Sequence, residues 1–496
     1  MRVLLISTYD LGRQPFGLAA PAAWLRDAGV DVDCVDVSRD PLEDARIGAA
    51  SLVAFYLPMH TATRLAGPLM SRVRRVNPEA RLAAYGLYAP LNAAWLREQG
   101  VEHVLGPEAE ADLVALANAQ CSMPNAQGST PRAESPEPRA GSPEPRAESP
   151  EPRAESPEPR AESRAPRARL RFIQPDRSTL PPPSRYAALQ MPDGSRRTAG
   201  ATDATRGCKH LCRHCPIVPV YQGTFRAVPI DLVIEDIRAQ MAAGVQHISF
   251  GDPDFLNGPT HARRLVERLA HQFPQLTYDV TIKIEHILRH ASMLPLLRDT
   301  GCLMVTSAVE SVDDGVLVRL RKGHTRADFA EAVRLCRHAG VALAPTFVPF
   351  TPWTTLEGYG DLLDEIERLD LTQDVAPIQL AIRLLVTAQS MLLELPDIQA
   401  IVEPFDAASL TFPWRHHDPR VDALQRHVME IVSKNASMAR AEVFDRIAAI
   451  AKGSDPLPRP TQDLDTRRGK GSDPPPYLTE AWYCCAEPGA EQFDLV

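Results

Sequence analysis

Thr205-Arg206-Gly207-Cys208-Lys209-His210-Leu211-Cys212-Arg213-His214-Cys215 is the stretch from which the rest of the chain is read. Its cysteines are spaced C-x3-C-x2-C. Three thiolates are one short of the number that closes an iron–sulfur cluster of four irons. A cluster held at three corners keeps one iron open, much as a catalytic metal site keeps one coordination position free for a small molecule. The competing reading is a structural zinc site with His210 or His214 as fourth ligand. Such sites normally pair two short ligand clusters across a longer loop, and no second Cys/His pair lies nearby in the sequence. Three unrelated buried cysteines fit less well still, because the segment is polar and basic.

The run stands just after the first strand of an alternating series. Strands are expected at 197–205, 247–250, 276–284, 302–308, 342–347 and 379–386, and helices at 230–243, 260–273, 292–300, 325–339 and 355–369. Gly244, Gly301 and Gly340 punctuate three helix ends, where a left-handed residue is wanted. Six strand–helix units suit a partial (β/α)6 barrel, with chemistry at the carboxyl ends of its strands. Polar residues share faces on two of these strands: Thr281, Lys283 and Glu285 on the third, Gln379 and Arg383 on the sixth. They suggest a lumen that meets a polar ligand, or else a salt-bridged barrel layer.

Residues 1–118 read as a separate α/β domain, a doubly wound parallel sheet. Its strands are expected at 3–7, 30–37, 51–56, 81–85 and 103–105, with helices at 20–28, 61–76 and 92–99. Residues 119–168 are low in complexity. A heptad Pro-Arg-Ala-Glu/Gly-Ser-Pro-Glu starts at Pro131, Pro138, Pro145 and Pro152, with a partial copy at Pro159. Two prolines per repeat forbid the coiled coil that a seven-residue period otherwise suggests, so a disordered, extended linker is expected. A connecting segment at 169–196 leads into the barrel at 197–395. A helical region at 396–452 follows, then a flexible arm and a cysteine-bearing tail at 453–496.

The chain has 496 residues, nine cysteines and a net charge of −9. That charge disfavours a general nucleic-acid binder. The cysteines fall as three clustered, two adjacent and four scattered, which suggests a reducing compartment rather than a disulfide framework. The apolar start, Val3–Ile6, is too short for a signal-peptide core, and no run approaches a membrane span. A cytoplasmic protein with no membrane partner is expected.

The cysteine run resembles the radical S-adenosylmethionine (SAM) superfamily. The resemblance implies a [4Fe-4S] cluster on Cys208, Cys212 and Cys215, SAM on its open iron, and an electron donor such as a flavodoxin or ferredoxin. Phe250-Gly251-Asp252-Pro253 resembles the family motif whose backbone contacts the SAM amino group, which makes Gly251, Asp252 and Pro253 cofactor-binding candidates. The segment from Thr306 to Ser311, with Lys322-Gly323-His324-Thr325, resembles a family stretch ending in KGHT. Ser307 and Glu310 are thereby candidates for polar SAM contacts, with Arg383 as a further one. Thr325 reads equally as a helix N-cap.

Residues 1–118 resemble the cobalamin-binding domains that precede many radical SAM barrels. The likeness lies in Leu52-Val53-Ala54-Phe55-Tyr56, Ala84-Tyr85-Gly86 and Gly106-Pro107-Glu108-Ala109-Glu110. The pattern Asp-x-His-x-x-Gly, which supplies a lower ligand, is absent: the loop reads Asp10-Leu11-Gly12-Arg13-Gln14-Pro15-Phe16-Gly17. Cobalamin is therefore a candidate cofactor only without that histidine. The tail Trp482-Tyr483-Cys484-Cys485-Ala486-Glu487-Pro488 resembles radical SAM proteins named for a CUAEP or CCAEP tail. Cys484 and Cys485 are the catalytic candidates there, and the tail is expected to fold back toward the barrel. The reading is a radical SAM enzyme acting on an unknown substrate. The alternatives are a cobalamin-dependent radical SAM methyltransferase, or a non-catalytic cobalamin- or metal-binding sensor.

Overall fold

The computed structural model describes residues 2–121, 171–435, 438–453, 475–480, 487 and 490–493. The repeat expected as a linker, and Cys484 and Cys485, lie outside the described residues.

The first unit contains β1 (Arg2–Ser7), β2 (Asp31–Asp36), β3 (Leu52–Tyr56), β4 (Arg81–Tyr85) and β5 (His103–Val104). All pair in parallel, in the order β2-β1-β3-β4-β5. The apolar run of β1 is buried on both faces, as a strand with helices above and below requires. Leu4 and Ile6 pack with Val53, Phe55, Leu82, Leu65 and Leu69, whereas Val3 and Leu5 pack with Leu52, Ala54, Leu18 and Leu113. Two cores thus follow from period-two alternation. The helix His60–Val76 presents Leu65, Leu69 and Val73 to the sheet, each contributing roughly 1.5–3 kcal/mol by burial. The helix Phe16–Asp27 closes through Gly29, whose φ is 75°. There the amides of Gly29 and Val30 turn back onto the carbonyls of Arg26 and Leu25, both at 2.9 Å.

The second unit is built on β6 (Ala188–Gln190), β7 (Arg196–Thr202), β8 (Thr205–Gly207), β9 (Phe225–Ala227), β10 (His247–Phe250), β11 (Thr277–Thr281), β12 (Cys302–Glu310), β13 (Ala342–Phe347) and β14 (Tyr477–Leu478). The main sheet runs β13-β12-β11-β10-β7-β6-β14. Strands β7 and β10 to β13 are parallel; β6 and β14 add an antiparallel edge. Ile248, Val280, Val305 and Phe347 meet Ile237, Leu265, Leu297, Phe329 and Ile366 in one core. No helix among the described residues is long and apolar enough to cross a membrane.

Three sequence expectations are revised locally. The strand expected over 197–205 breaks after Thr202, and Thr205 starts a separate hairpin with β9 that carries the cysteine loop. The third strand stops at Thr281; Lys283 is the N-cap of the helix Ile284–Arg289, so Glu285 is helical rather than on a strand face. The sixth strand is reduced to one parallel bridge, Phe350 to Arg383. Pro377 starts a tight turn there, and side chains satisfy the backbone groups that a ladder would have used. Gln379 Oε1 accepts from the Phe347 amide at 3.0 Å, and the Tyr359 hydroxyl donates to the Leu380 carbonyl at 2.9 Å. The sixth barrel position therefore exists without a regular strand.

Candidate functional site

The cysteine loop hangs from the β8–β9 hairpin at the carboxyl end of the first barrel strand. Gly207, at φ 82°, makes the entry: a Cβ there would lie 2.6 Å from the Thr224 carbonyl oxygen and 2.4 Å from the Tyr221 ring. Asn257 clamps the loop from the β10 side, accepting from the Lys209 amide and donating to the Gly207 carbonyl, each at 3.3 Å. Arg213 donates its amide to the Leu320 carbonyl at 3.0 Å and its guanidinium to the Arg319 carbonyl at 2.8 Å.

Cys212 is buried, Cys208 and Cys215 are half-buried, and all three thiols are free. Burial pushes the Cys208 thiol up to about 11 and the Cys215 thiol up to about 12. Lys283 pulls against that at Cys208, and Lys322 at Cys215. Both lysines are themselves buried. The thiols can therefore bind a metal only by releasing protons.

The three sulfurs do not form a group mutually within 4.8 Å; among the described residues that compactness belongs to His210, Asp254 and His286. Thiolates on one tetrahedral zinc stand about 3.8 Å apart, from Zn–S bonds of about 2.3 Å. In a cluster, by contrast, the cysteines bind different irons.

Glu310 ends β12 after an irregularity in its pairing with β13, and its φ is 69°. A non-glycine residue held there is strained, and such strain gathers at functional sites. Its Oε1 lies 3.0 Å from His214 Nε2 and 3.2 Å from Lys322 Nζ. Burial alone would raise the carboxyl; the Lys322 ammonium and His214 outweigh it and hold the group down at about 2. On the opposite side of the loop, His210 Nε2 lies 2.9 Å from Asp254 Oδ2, and His286 Nδ1 lies 2.7 Å from the same oxygen. Lys283 Nζ stands 3.3 Å from His210 Nδ1. Each histidine between the cysteines is thus steered by a carboxylate from a barrel loop or strand end, with a lysine beside it.

The sequence-derived candidates separate in space. A Cβ on Gly251 would sit 2.4 Å from Asp203 Oδ1, so the glycine lets the Asp203 carboxylate approach the backbone there. Asp252 accepts from the Ala204 amide at 2.9 Å and from the Thr205 hydroxyl, so its carboxylate braces the start of β8. Burial, then Asp203, pushes it up to about 7. Ser307 is fully buried and its hydroxyl makes no hydrogen bond. His324 is also buried, with both ring nitrogens lacking a well-aligned partner. Burial, then Lys322 and Lys283, pushes it down to about 4, so it is neutral.

Arg383 is drawn away from the cysteine loop. Its guanidinium lies 3.5 Å over the Trp414 ring and donates to Asp422 and to the Trp414 carbonyl, both at 2.6 Å. Thr325 forms a capping box with Asp328, as its N-cap reading requires. Asn257 and the pairing of His214 with Glu310 were not foreseen. The histidines inside the cysteine run were the signal that carboxylate partners should be sought.

The acidic string of the first unit meets this same hairpin. Glu110 Oε1 accepts from Arg206 at 2.6 Å, and Glu108 takes the Arg226 Nε with both oxygens at 2.9 and 2.8 Å. Arg177 of the connecting segment joins Asp236 at 2.9 and 3.0 Å and Gln14 at 2.9 Å.

With this geometry in view, residues 203–362 match the radical SAM superfamily. The chain carries a radical SAM domain. It is 26% identical over 175 residues to the ribosomal protein uS12 methylthiotransferase RimO of Geotalea uraniireducens, covering 32% of this chain and 38% of that protein. It is 28% identical over 160 residues to the bacteriochlorophyllide d C-12(1)-methyltransferase of Chlorobaculum tepidum, covering 32% and 34%. The chain thus spans little more than a third of the length of these curated relatives.

Among solved structures, the radical SAM methyltransferase TsrM of Kitasatospora setae, with cobalamin and [4Fe-4S] cluster bound, is 18% identical at a TM-score of 0.53, covering 74% of this chain and 70% of that one. The cobalamin-dependent radical SAM enzyme OxsB, with aqua-cobalamin bound, is 11% identical at 0.61, covering 91% and 71%. The likeness is one of fold, an α/β unit of cobalamin-binding type followed by a radical SAM barrel. The domain uses a [4Fe-4S] cluster and SAM, and Cys208, Cys212 and Cys215 fit the cluster by number and spacing. The unpartnered Ser307 hydroxyl on β12 leaves polar capacity for SAM. Any cobalamin held by the first unit would be bound without a histidine from the β1 loop, beside which Glu480 of the C-terminal segment stands, with Glu487 against His60 after β3.

Proposed function

We propose that this chain is a radical SAM enzyme that cleaves SAM reductively to begin radical chemistry on a substrate not yet identified. The observation that carries the reading is the hairpin-borne trio of free thiols, spaced C-x3-C-x2-C, at the carboxyl end of the first barrel strand and inside the stretch that matches the radical SAM superfamily. When bound, the cluster would supply the electron that breaks the sulfonium of SAM. Cys208, Cys212 and Cys215 hold it. Glu310 and Asp254 fix the loop through His214 and His210, and buried Lys283 and Lys322 offset the negative charge gathered there. His324, neutral, is a hydrogen-bonding group for SAM or substrate. The barrel core excludes water behind them. An electron donor such as a flavodoxin or ferredoxin serves it in the cytoplasm, and Cys484 and Cys485 act on the substrate as thiols.

Anaerobic reconstitution tests this. Iron and sulfide uptake, a reduced-cluster paramagnetic resonance signal and release of 5'-deoxyadenosine support it; uptake of zinc without iron or sulfide overturns it. A cluster-bearing protein that never cleaves SAM would be a sensor. A second reading, cobalamin-dependent methyl transfer, is favoured by the two-unit fold shared with OxsB and TsrM. Its mark would be S-adenosylhomocysteine formed only when cobalamin is supplied.

A further inference from the structure

The cysteine loop presents an apolar side chain to solvent. Leu211, which directly precedes Cys212, is 47% exposed, and Val318 is 75% exposed. No other large hydrophobic side chain of the barrel, residues 197–395, is exposed. Arg213 brings the segments that carry these two together. Its amide donates to the Leu320 carbonyl at 3.0 Å and its guanidinium to the Arg319 carbonyl at 2.8 Å. The loop therefore lies against the turn that ends the helix Asp314–Arg319. Val318 stands in the last turn of that helix, and its carbonyl accepts from the Arg321 amide at 3.1 Å.

Three cations belong to the same stretches: Lys209, Arg213 and the exposed Arg321. Lys209 Nζ donates to the Asn257 carbonyl at 3.3 Å, as Arg213 does to that of Arg319. Neutral carbonyls hold these two side chains in place and leave their charge uncancelled. Among the described residues no carboxylate pairs with Lys209, Arg213 or Arg321. The acids of the neighbouring helix stand at its other end. There Asp313 accepts from the Val316 amide at 2.9 Å and Asp314 from the Arg326 amide at 2.8 Å. The chain as a whole carries a net charge of −9, so uncompensated cations on and beside the cysteine loop run against its average.

Apolar side chains among charged ones are the anatomy of a protein interface, and uncancelled cations steer an acidic partner to it. Electron transfer between proteins falls off steeply with distance. A donor must therefore dock where little more than the cluster's own loop separates it from the iron, and Leu211 marks that wall. A flavin carrier offers the apolar edge of its ring system, which Leu211 and Val318 suit. An iron–sulfur carrier instead covers its cluster with a backbone loop.

We propose that Leu211 and Val318, with Lys209, Arg213 and Arg321, form the docking surface for an acidic flavodoxin-type protein that reduces the cluster. The inference rests on the radical SAM reading. One electron leaves the reduced flavin and one enters the cluster, and no bond forms or breaks between the two proteins.

The test compares four cluster-reconstituted full chains: the parent, Arg321→Glu, Arg321→Lys and Val318→Glu. Binding of an oxidised flavodoxin is measured by titration calorimetry at low and high salt. Oxidation of the photoreduced flavodoxin is then followed by stopped-flow absorption. Arg321→Glu and Val318→Glu should each weaken binding and slow the electron step about tenfold at low salt, whereas Arg321→Lys should match the parent. High salt should weaken parent binding and narrow its lead over Arg321→Glu. With dithionite as reductant all four should release 5'-deoxyadenosine alike, and their iron contents should agree. Equal binding and equal electron transfer in parent and Arg321→Glu overturn the proposal. So does a ferredoxin that binds and reduces the parent where flavodoxin does neither. A parent that takes up iron yet releases no 5'-deoxyadenosine with dithionite refutes the radical SAM reading, while the binding titration still decides the surface.

Discussion

His214 and Glu310 meet at 3.0 Å, and this contact ties the cysteine loop to the end of β12. The two residues lie far apart in sequence, yet the strained backbone of Glu310 and the spacing of the cysteine run bring them together. Lys322 completes the arrangement from the KGHT stretch. The barrel therefore positions its loop through charge as well as through packing.

Glu310→Gln should destabilise the protein by roughly 3 kcal/mol near neutral pH, because it leaves Lys322 buried without its anion. The folded-state carboxyl is held down at about 2, below its ordinary 4.5. Its contribution is therefore fully present above pH 4.5 and is lost as pH falls through 2. Denaturant unfolding of parent and variant across that range should show the gap closing as the acid limit is approached. A gap that stays constant down to pH 2 would refute the charge-based account.

Gly207→Ala should disturb the cysteine hairpin. The left-handed backbone there costs a side chain about 1–2 kcal/mol. The added carbon would further meet the Thr224 carbonyl at 2.6 Å. Cluster occupancy after reconstitution should fall clearly. Gly244→Ala is the control: its φ is 94° but nothing lies within 4 Å of the added carbon. It should lose some stability and keep its iron. Equal iron loading in the two variants would remove the claim that close approach at Gly207 shapes the loop.

Much of this was legible because it is periodic or local. The buried parallel strands of both units announce themselves as short apolar runs between amphipathic helices, as Val3–Ile6 does. The cysteine spacing is a local code. What escaped depends on contacts distant in sequence. The sixth strand read as alternating, but Pro377 and the side chains of Gln379 and Tyr359 satisfied its backbone differently. Lys283 looked like a strand residue, yet the chain turns into a helix directly after it. Asn257 gives no periodic signal, since its amide serves a loop that the sequence places elsewhere. The tail was expected to fold back toward the barrel. Its described residues add β14 to the β6 edge of the barrel sheet and reach the first unit through an ion pair that no pattern reveals, while Cys484 and Cys485 lie outside the described residues.

Cys485→Ser should spare cluster assembly and SAM cleavage uncoupled from substrate, and should stop product formation once a substrate is found. The reasoning rests on chemistry, since a serine hydroxyl keeps the size of the thiol but lacks its nucleophilicity and redox capacity. Iron content and 5'-deoxyadenosine release would be compared with product yield in one anaerobic assay. Parent-level product from the variant would leave the tail thiols without a catalytic role.

Arg383 separates two accounts of one residue. Sequence alternation made it a lumen residue aimed at SAM, whereas the structure stacks its guanidinium on Trp414 at 3.5 Å and pairs it with Asp422 at 2.6 Å. Asp422 belongs to the helix Pro419–Lys434, so the arginine fastens that helix to the barrel's sixth position. Arg383→Ala should lose the stacking and charge-assisted bonds together, about 2 kcal/mol. Arg383→Lys should recover little, because an ammonium cannot stack and bridge two acceptors at once. Both variants should load iron and bind SAM as the parent does, with the deficit confined to thermal or denaturant unfolding. If Arg383→Ala instead weakens SAM binding tenfold while the unfolding midpoint stands still, the arginine is a cofactor ligand, and its contact with Asp422 must open when SAM arrives.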